Sequence, residues 1–218
     1  MAKTYYKKCI NDYFDRLPQE TIVTTDMVVD YMVRKNGEPA DKVRKTVNVN
    51  LSRLEADGTI ARISRGIYCK KIKTPLGDYV PSKEQVYTNM LVADGELVIG
   101  YETGLSLMNR VGLVSQMPKD KFIASNNYSI AIPKEANIKV QKPRVQVTHD
   151  NYKYLQVLDI INGLETAPVD ANNPEKIIKE TAKRAGIHTE RLLLYARKFY
   201  SSKTLEKVID IMWGDLEI

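Results

Sequence analysis

The residues from Lys42 to Arg53 have side chains that suit contact with a nucleic acid. An α-helix turns by about 100° per residue, and this places one set of polar and small side chains on a common side. That side carries Lys45, Asn48, Val49 and Ser52, and its flanks carry Lys42, Arg44 and Arg53. Arg and Lys can contact phosphates or guanine, Asn pairs with adenine, and the Val side chain can meet the methyl group of thymine. The chemistry that this set indicates is binding to DNA.

The other side of the same segment is a stripe of apolar side chains, which are expected to pack in a hydrophobic core. Its members recur at i, i+4, i+8 and i+11, as in a helix with one buried face: Val43, Val47, Leu51 and Leu54. Pro39 suits a first helical turn, with Asn36 or Gly37 just outside it, and Gly58 is a C-terminal signal. The segment is therefore predicted to be a recognition helix that packs on one side and reads DNA on the other.

Two short strands are predicted after this helix, at 59–63 and 67–70, with a tight turn between them. The DNA-contacting residues predicted on this hairpin are Arg62, Ser64, Arg65 and Lys70. A recognition helix beside a basic hairpin is typical of a winged helix-turn-helix domain. The alternative is a small protein-docking domain in which the charged side chains are merely solvated.

Two more helices are predicted before the recognition helix, at 3–17 and at 24–34, the second capped by Thr24 or Thr25. Residues 1–73 are thus expected to form the winged helix-turn-helix domain, and 74–81, rich in Pro and Gly, the linker. The predicted fold class is α+β, with a mixed α/β domain at 82–218 that is helical from about residue 151. Strands are predicted there at 97–101, 122–125, 128–132, 138–140 and 145–148, and helices at 82–93, 103–111, 151–162, 174–185, 189–199 and 204–213.

The positive charge of the chain is concentrated in its first third. Residues 1–73 contain 15 Lys and Arg against 9 Asp and Glu, a net of +6, whereas residues 74–218 contain 18 of each. The whole excess lies in the segment predicted to touch DNA, which favours DNA binding over protein docking. A second basic stretch at 175–203, with 8 Lys and Arg against 3 Asp and Glu, is either a solvated helical face or a further phosphate contact.

Other classes of protein find little support in the residues. No apolar run approaches the roughly 18 residues of a membrane span, and the N-terminus lacks the apolar stretch of a signal peptide, so a cytoplasmic protein is expected. Two cysteines and two histidines at unrelated positions, Cys9, Cys69, His149 and His188, indicate neither a metal site nor a cofactor.

An enzyme is the second hypothesis, and the sequence argues against it. A nucleotidyltransferase needs a Gly-Ser element followed by metal-binding carboxylates. Asp215 and Glu217 are alternating acids but lie at the chain end, and Ser106 lacks the second glycine of a nucleophile elbow. No catalytic residue is therefore predicted.

Several stretches resemble a known family. They are RLEADGTIARISRGIY at 53–68, PSKEQVYTNML at 81–91, YETGLSLMNRVGLVSQMPKDKFIAS at 101–125 and ERLLLYARKFYSSKTLEKVIDIMWG at 190–214. Together they resemble the AbiEi-type antitoxins of abortive-infection, type IV toxin–antitoxin systems, and a related uncharacterised domain family. The resemblance implies a winged helix-turn-helix that binds inverted repeats upstream of its own operon. It also implies a C-terminal domain that counteracts a nucleotidyltransferase-like toxin in phage defence.

The expected function is therefore that of a transcriptional autorepressor and antitoxin. Its expected partners are double-stranded DNA, bound by two copies at paired half-sites, and a cognate toxin. The alternative is a winged-helix regulator whose C-terminal domain serves dimerisation or effector sensing, with no toxin partner.

Overall fold

The computed structural model describes residues 2–18 and 21–213, and it is a mixed structure of helices and several small sheets. The chain divides into two compact units, one ending at Val86 and the other beginning at Tyr87. Among the described residues, no helix combines the length and the apolar character that crossing a bilayer requires.

The first unit contains three helices whose apolar sides form one core. The helices are α1 (Ala2–Arg16), α2 (Thr25–Asn36) and α3 (Ala40–Ala56). Their buried side chains include Ile10, Phe14, Val28, Met32, Val43, Val47, Leu51 and Leu54. The periodicity predicted all three helices, and the four stripe residues of α3 are at most 1% exposed. Helix α2 begins at a side-chain cap, because the Thr24 hydroxyl accepts a hydrogen bond from the Met27 N–H at 3.3 Å.

A three-stranded antiparallel sheet completes this core. Its strands are β1 (Ile22–Thr24), β2 (Ile60–Ser64) and β3 (Ile67–Lys70), in the order β1-β3-β2. The sequence predicted the β2–β3 hairpin but not β1, which is too short to show an alternating pattern. A further hairpin, β4 (Ile72–Thr74) with β5 (Gly77–Tyr79), occupies most of the segment predicted to be a linker.

The second unit is built around a small mixed sheet and a buried helix. The division between the units falls within α4 (Lys83–Val92). This helix begins with a capping box, in which the Ser82 N–H donates to the Gln85 side chain and the Gln85 N–H donates to the Ser82 hydroxyl. The hairpin of β6 (Ala93–Asp94) and β7 (Leu97–Val98) follows. The sheet has the order β10-β9-β8, from β8 (Gly100–Thr103), β9 (Lys121–Ser125) and β10 (Ile138–Gln141).

Five of the described helices supply most of the second core, and the first two of them contact the strands of this sheet. They are α5 (Gly104–Val111), α6 (Tyr152–Gly163), α7 (Pro174–Ala185), α8 (Thr189–Phe199) and α9 (Ser202–Trp213), with a short 3-10 turn at Lys134–Ala136. Helix α6 buries six of its twelve residues, as expected of a helix surrounded by others. The predicted helices of the C-terminal third are confirmed, and the Asn173 side chain caps α7 by accepting a hydrogen bond from the Lys176 N–H.

Three strand predictions for this unit were wrong in whole or in part. No strand forms at 145–148, because the Asn126 side chain bonds both the N–H and the carbonyl of Val147 and replaces a partner strand. None forms at 128–132, where the Ile130 N–H closes a turn onto the Asn127 carbonyl. The predicted strand 97–101 is split, because the Ile99 N–H bonds back to Val92 and divides β7 from β8.

A buried carboxylate joins distant parts of the second unit. Asp159 on α6 accepts hydrogen bonds from the hydroxyls of Tyr101 (3.1 Å), Thr103 (2.8 Å) and Tyr200 (2.7 Å). Burial raises the pKa of Asp159, and the three hydroxyl donors act against that rise. This cluster connects β8, α6 and the residue that follows α8.

We predict that Tyr200→Phe destabilises the second unit by about 1.5–3 kcal/mol, the usual contribution of a hydrogen bond to a charged group. Urea unfolding followed by the fluorescence of Trp213, the single tryptophan, measures this. Tyr128→Phe is the matched control, because Tyr128 is 43% exposed. Equal unfolding midpoints for the two variants would contradict the role given to the Tyr200 hydroxyl.

The C-terminus of α3 is fixed by a second charged group. Asp57 forms an ion pair with Lys7 of α1 at 2.6 Å and accepts hydrogen bonds from the N–H and the hydroxyl of Thr59. The Lys7 ammonium and the Thr59 hydroxyl lower the pKa of Asp57 from 3.8 to about 2. Because the folded-state pKa is lowered, the stabilisation is complete above pH 3.8 and is lost as the pH falls through about 2.

We therefore expect Asp57→Asn to lower the melting temperature at neutral pH, since Asn keeps the Thr59 contacts and loses the attraction to Lys7. The difference from the unmodified chain should persist down to about pH 4 and shrink towards pH 2, as measured by circular dichroism. Asp30→Asn on α2 is the control, because this position is exposed. It should leave the melting temperature unchanged at every pH. A deficit in Asp57→Asn that is independent of pH would show that charge is not the cause.

Candidate nucleic-acid interface

Helix α3 has one buried side and one exposed side, and its C-terminal end agrees with the sequence. Its start lies one residue later than predicted, and Asn36 and Gly37 are the last residue and the C-cap of α2. Pro39 occupies the N-cap position, so the helix begins at Ala40, and Gly58 follows the C-cap with a φ of +78°. That φ lies in the left-handed region that glycine adopts without strain. All seven side chains predicted to contact DNA from this helix are exposed: Lys42, Arg44, Lys45, Asn48, Val49, Ser52 and Arg53.

Three of these side chains share an open groove with the hairpin. Arg44, Asn48 and Ser52 line it from α3, and Arg62 and Arg65 line it from the hairpin. Its volume is about 590 Å³. This groove, hereafter the α3–hairpin groove, brings together five residues that the sequence had singled out on two separate elements.

The remaining four lie on the opposite flank of α3. Lys42, Lys45, Val49 and Arg53 line a second groove of about 440 Å³, together with Tyr6 and Glu38. The predicted contact face of α3 is therefore two rows of side chains along one ridge. Val49 is 50% exposed on that ridge, so its side chain is available for an apolar contact.

Some charged side chains of this surface have ion-pair or hydrogen-bond partners, and others form no ion pair with any described residue. Arg44 forms an ion pair with Asp26 of α2 at 2.6 Å, and Lys42 lies 3.9 Å from Glu38. Arg62 Nε donates to the Ser64 carbonyl at 3.4 Å, near the hairpin turn. Within the part of the chain that the structure describes, Lys45, Arg53 and Arg65 form no ion pair, so their charges are free to meet an anion.

Two predicted contact residues line neither groove. Lys70 forms an ion pair with Asp15 of α1 at 2.5 Å, which directs its ammonium away from the α3–hairpin groove. Ser64 is the last residue of β2 and pairs across the hairpin with Ile67. The other nine predicted residues line one groove or the other.

The start of α2 also contributes to the α3–hairpin groove, and the sequence did not indicate this. Thr24, Thr25 and Asp26 line it, because the Thr25 N–H donates to the Gly66 carbonyl at 2.9 Å and ties α2 to the hairpin turn. The capping signal at Thr24 predicted where α2 begins, but nothing local predicted which element its N-terminus would meet.

A buried amide lies beneath the ridge. Asn50 is 1% exposed, and its Nδ2 donates to the Thr46 carbonyl at 2.8 Å, while its Oδ1 has no partner among the described residues. Its burial could not be predicted from the helical pattern, because this position lies between the apolar stripe and the exposed face.

In the ranges 2–18 and 21–213, no group of three or more His, Cys, Asp or Glu side chains is placed to hold a metal ion. Cys9 and Cys69 are both buried free thiols in the first unit, and burial raises the pKa of Cys69. The acids Asp215 and Glu217 lie outside the described residues.

Comparison with known proteins gives a family but no activity. A search of curated proteins returns no match. A family of unknown function, DUF6088, matches residues 10–190 of the 218, a range that includes most of both units. The chain therefore belongs to the DUF6088 family of unknown function.

Proposed function

We propose that the chain is a sequence-specific DNA-binding autorepressor whose first unit is a winged helix-turn-helix domain. The observation that carries this proposal is the α3–hairpin groove, where Arg44, Asn48 and Ser52 of a helix meet Arg62 and Arg65 of a hairpin. A helix that enters the major groove beside a basic hairpin needs these side chains on one open surface. The net charge of +6 within residues 1–73 supports a polyanionic partner.

The two rows of α3 have different roles in this proposal. Arg44, Asn48 and Ser52 read base edges, where Arg suits guanine and Asn suits adenine. Lys42, Lys45 and Arg53 on the other flank contact phosphates, which give affinity without sequence information. Val49, which belongs to the same row as these three cations, meets a thymine methyl group.

The ion pair between Arg44 and Asp26 favours a base-reading role for Arg44. The Asp26 carboxylate repels phosphates, so a phosphate is a poor partner for the guanidinium in this position. The same carboxylate restricts the Arg44 rotamers, and restriction before binding lowers the entropy that is lost on binding. Arg65 at the hairpin turn is the residue proposed to enter the minor groove, where its charge is favoured if that groove is narrow.

We further propose an antitoxin role for the second unit, supported by the resemblance to the AbiEi-type antitoxins. In this proposal the chain represses its own operon by binding inverted repeats as two copies, and it counteracts a nucleotidyltransferase-like toxin. It acts by binding and has no catalytic residue. The alternative is that the second unit serves dimerisation or senses an effector.

The test of DNA binding is a gel-shift titration on the DNA immediately upstream of the gene, against a scrambled duplex, at two salt concentrations. We expect specific binding that survives the higher salt. Arg44→Ala with Lys45→Ala should abolish it while the fold is kept, since the exposed ion pair lost from Arg44 contributes at most about 1 kcal/mol. The slope of log affinity against log salt should fall by about one for each phosphate contact removed.

Lys8→Ala with Arg16→Ala is the matched control, because both side chains are exposed on α1 and the charge change is the same. It should reduce specific binding by no more than about threefold, the size of a long-range charge effect. Unchanged binding in a folded Arg44→Ala, Lys45→Ala variant would refute the recognition-helix assignment. Equal binding to both duplexes would refute sequence-specific repression.

The test of the antitoxin role is growth rescue in cells that express the product of the neighbouring gene. The full-length Arg44→Ala, Lys45→Ala variant should restore growth as well as the unmodified chain, because the altered residues belong to the first unit. If neither protein restores growth, the antitoxin role is excluded and the autorepressor role is unaffected. Rescue by the unmodified chain alone would mean that neutralisation needs DNA binding.

A further inference from the structure

The second unit contains a cleft that the DNA-binding proposal does not use. Its volume is about 630 Å³, within the roughly 300–1,000 Å³ typical of small-molecule sites. The loop that follows β10 forms its rim, and residues of β8, β9, α5 and α6 form its floor and wall. All of its lining residues belong to the second unit.

The floor of the cleft holds the Asp159 carboxylate. Its Oδ2 accepts from both Tyr101 and Thr103, whereas its Oδ1 accepts from Tyr200 alone. A carboxylate oxygen has about two acceptor positions, so Oδ1 keeps one for a further donor. A hydroxyl or amino group of a ligand is the kind of group that fills it.

The rim of the cleft carries two cations. Lys142 and Arg144 are exposed, and within residues 2–18 and 21–213 neither forms an ion pair. The Arg144 guanidinium lies over the Tyr200 ring, 4.5 Å from its centroid, and this contact fixes the orientation of the guanidinium plane. A guanidinium held in this way presents its N–H edge for the bidentate contact that phosphates favour.

Arg144 and Asp159 are near enough to interact electrostatically without a direct ion pair. The positive charge of Arg144 acts to lower the pKa of Asp159, yet the two side chains do not meet. Both line the same cleft. Opposite charges that share a cleft without touching suit a ligand with an anionic group at one end and a hydrogen-bond donor at the other.

The wall of the cleft is apolar and is brought close by a glycine. Leu105, Met108 and Phe122 line it. Gly163 of α6 lies against Met108, and a Cβ at Gly163 would be 2.8 Å from the Met108 Cε. A flat ring packs well against such a surface. The Phe122 ring is itself held in place, with the Lys139 ammonium 5.4 Å from its centroid.

We propose that this cleft binds a nucleoside phosphate. The phosphate contacts Lys142 and Arg144, a sugar hydroxyl donates to Asp159 Oδ1, and the base packs against the apolar wall. An inorganic anion would engage the rim alone, and a nucleoside would engage only the floor and the wall. The proposal is independent of DNA binding, because it involves other residues in the other unit.

The test is isothermal titration calorimetry of the full-length protein with adenosine, guanosine, cytidine and uridine 5′-monophosphates. The four nucleosides and inorganic phosphate are titrated in parallel. At least one monophosphate should bind, at least about tenfold more tightly than its nucleoside or phosphate, since either fragment loses a group of contacts. No binding of any monophosphate at millimolar concentration, or affinity equal to that of inorganic phosphate, would overturn the proposal.

Variants assign the binding to the cleft. Lys142→Gln with Arg144→Gln should weaken binding at least about tenfold, because two charged phosphate contacts are lost. Arg197→Gln with Lys198→Gln on α8 is the control, with the same charge change at exposed positions outside the cleft, and should leave the affinity unchanged. Equal affinity in both double variants would place the nucleotide elsewhere and overturn the assignment.

The Arg44→Ala, Lys45→Ala variant distinguishes nucleotide binding in the cleft from DNA binding by the first unit. It should lose operator binding and keep the nucleotide affinity of the unmodified chain. Loss of nucleotide binding in this variant would mean that the nucleotide occupies the basic surface of the first unit, which also overturns the cleft assignment.

Discussion

The arrangement of the first unit depends on the burial of one apolar stripe of α3. Val43, Val47, Leu51 and Leu54 are at most 1% exposed, and full burial of each such side chain stabilises the fold by about 1.5–3 kcal/mol. With that stripe fixed, helical geometry leaves little choice for the other side chains. Arg44 and Asn48 must face one flank and Lys45 the other. The cationic surface is thus a consequence of the core.

Much of this surface could be predicted because its cause is local. Periodicity, caps and turn residues specify α2, α3 and the β2–β3 hairpin, and they decide which side of α3 is exposed. What the sequence could not supply was the partner of each side chain. The pairing of Arg44 with Asp26 and of Lys70 with Asp15 depends on which elements become neighbours, and no spacing in the chain encodes that. Strand β1 was missed for the same reason, since its pairing with β3 is entirely tertiary.

The second unit was harder to predict, because side chains replace backbone partners there. The segment around Val147 has the composition of a strand, yet an asparagine from another segment satisfies its backbone groups. The cluster at Asp159 is a similar case. Its three hydroxyl partners are 41 to 58 residues away in the chain, and an aspartate within an apolar helix gives no local sign of what it binds. Helix positions followed from the sequence, and the cleft did not.

Each unit contains a different kind of side chain that can report on its folding. The first contains two buried cysteines, and the second contains a tryptophan. Cys9 is 4% exposed and Cys69 is fully buried, so a thiol reagent can modify them only when that unit opens. The single tryptophan, Trp213, lies on α9 in the other unit. The rate of thiol modification therefore follows the opening of one unit, while tryptophan emission follows the other. The two units can therefore be observed independently without any substitution in the chain.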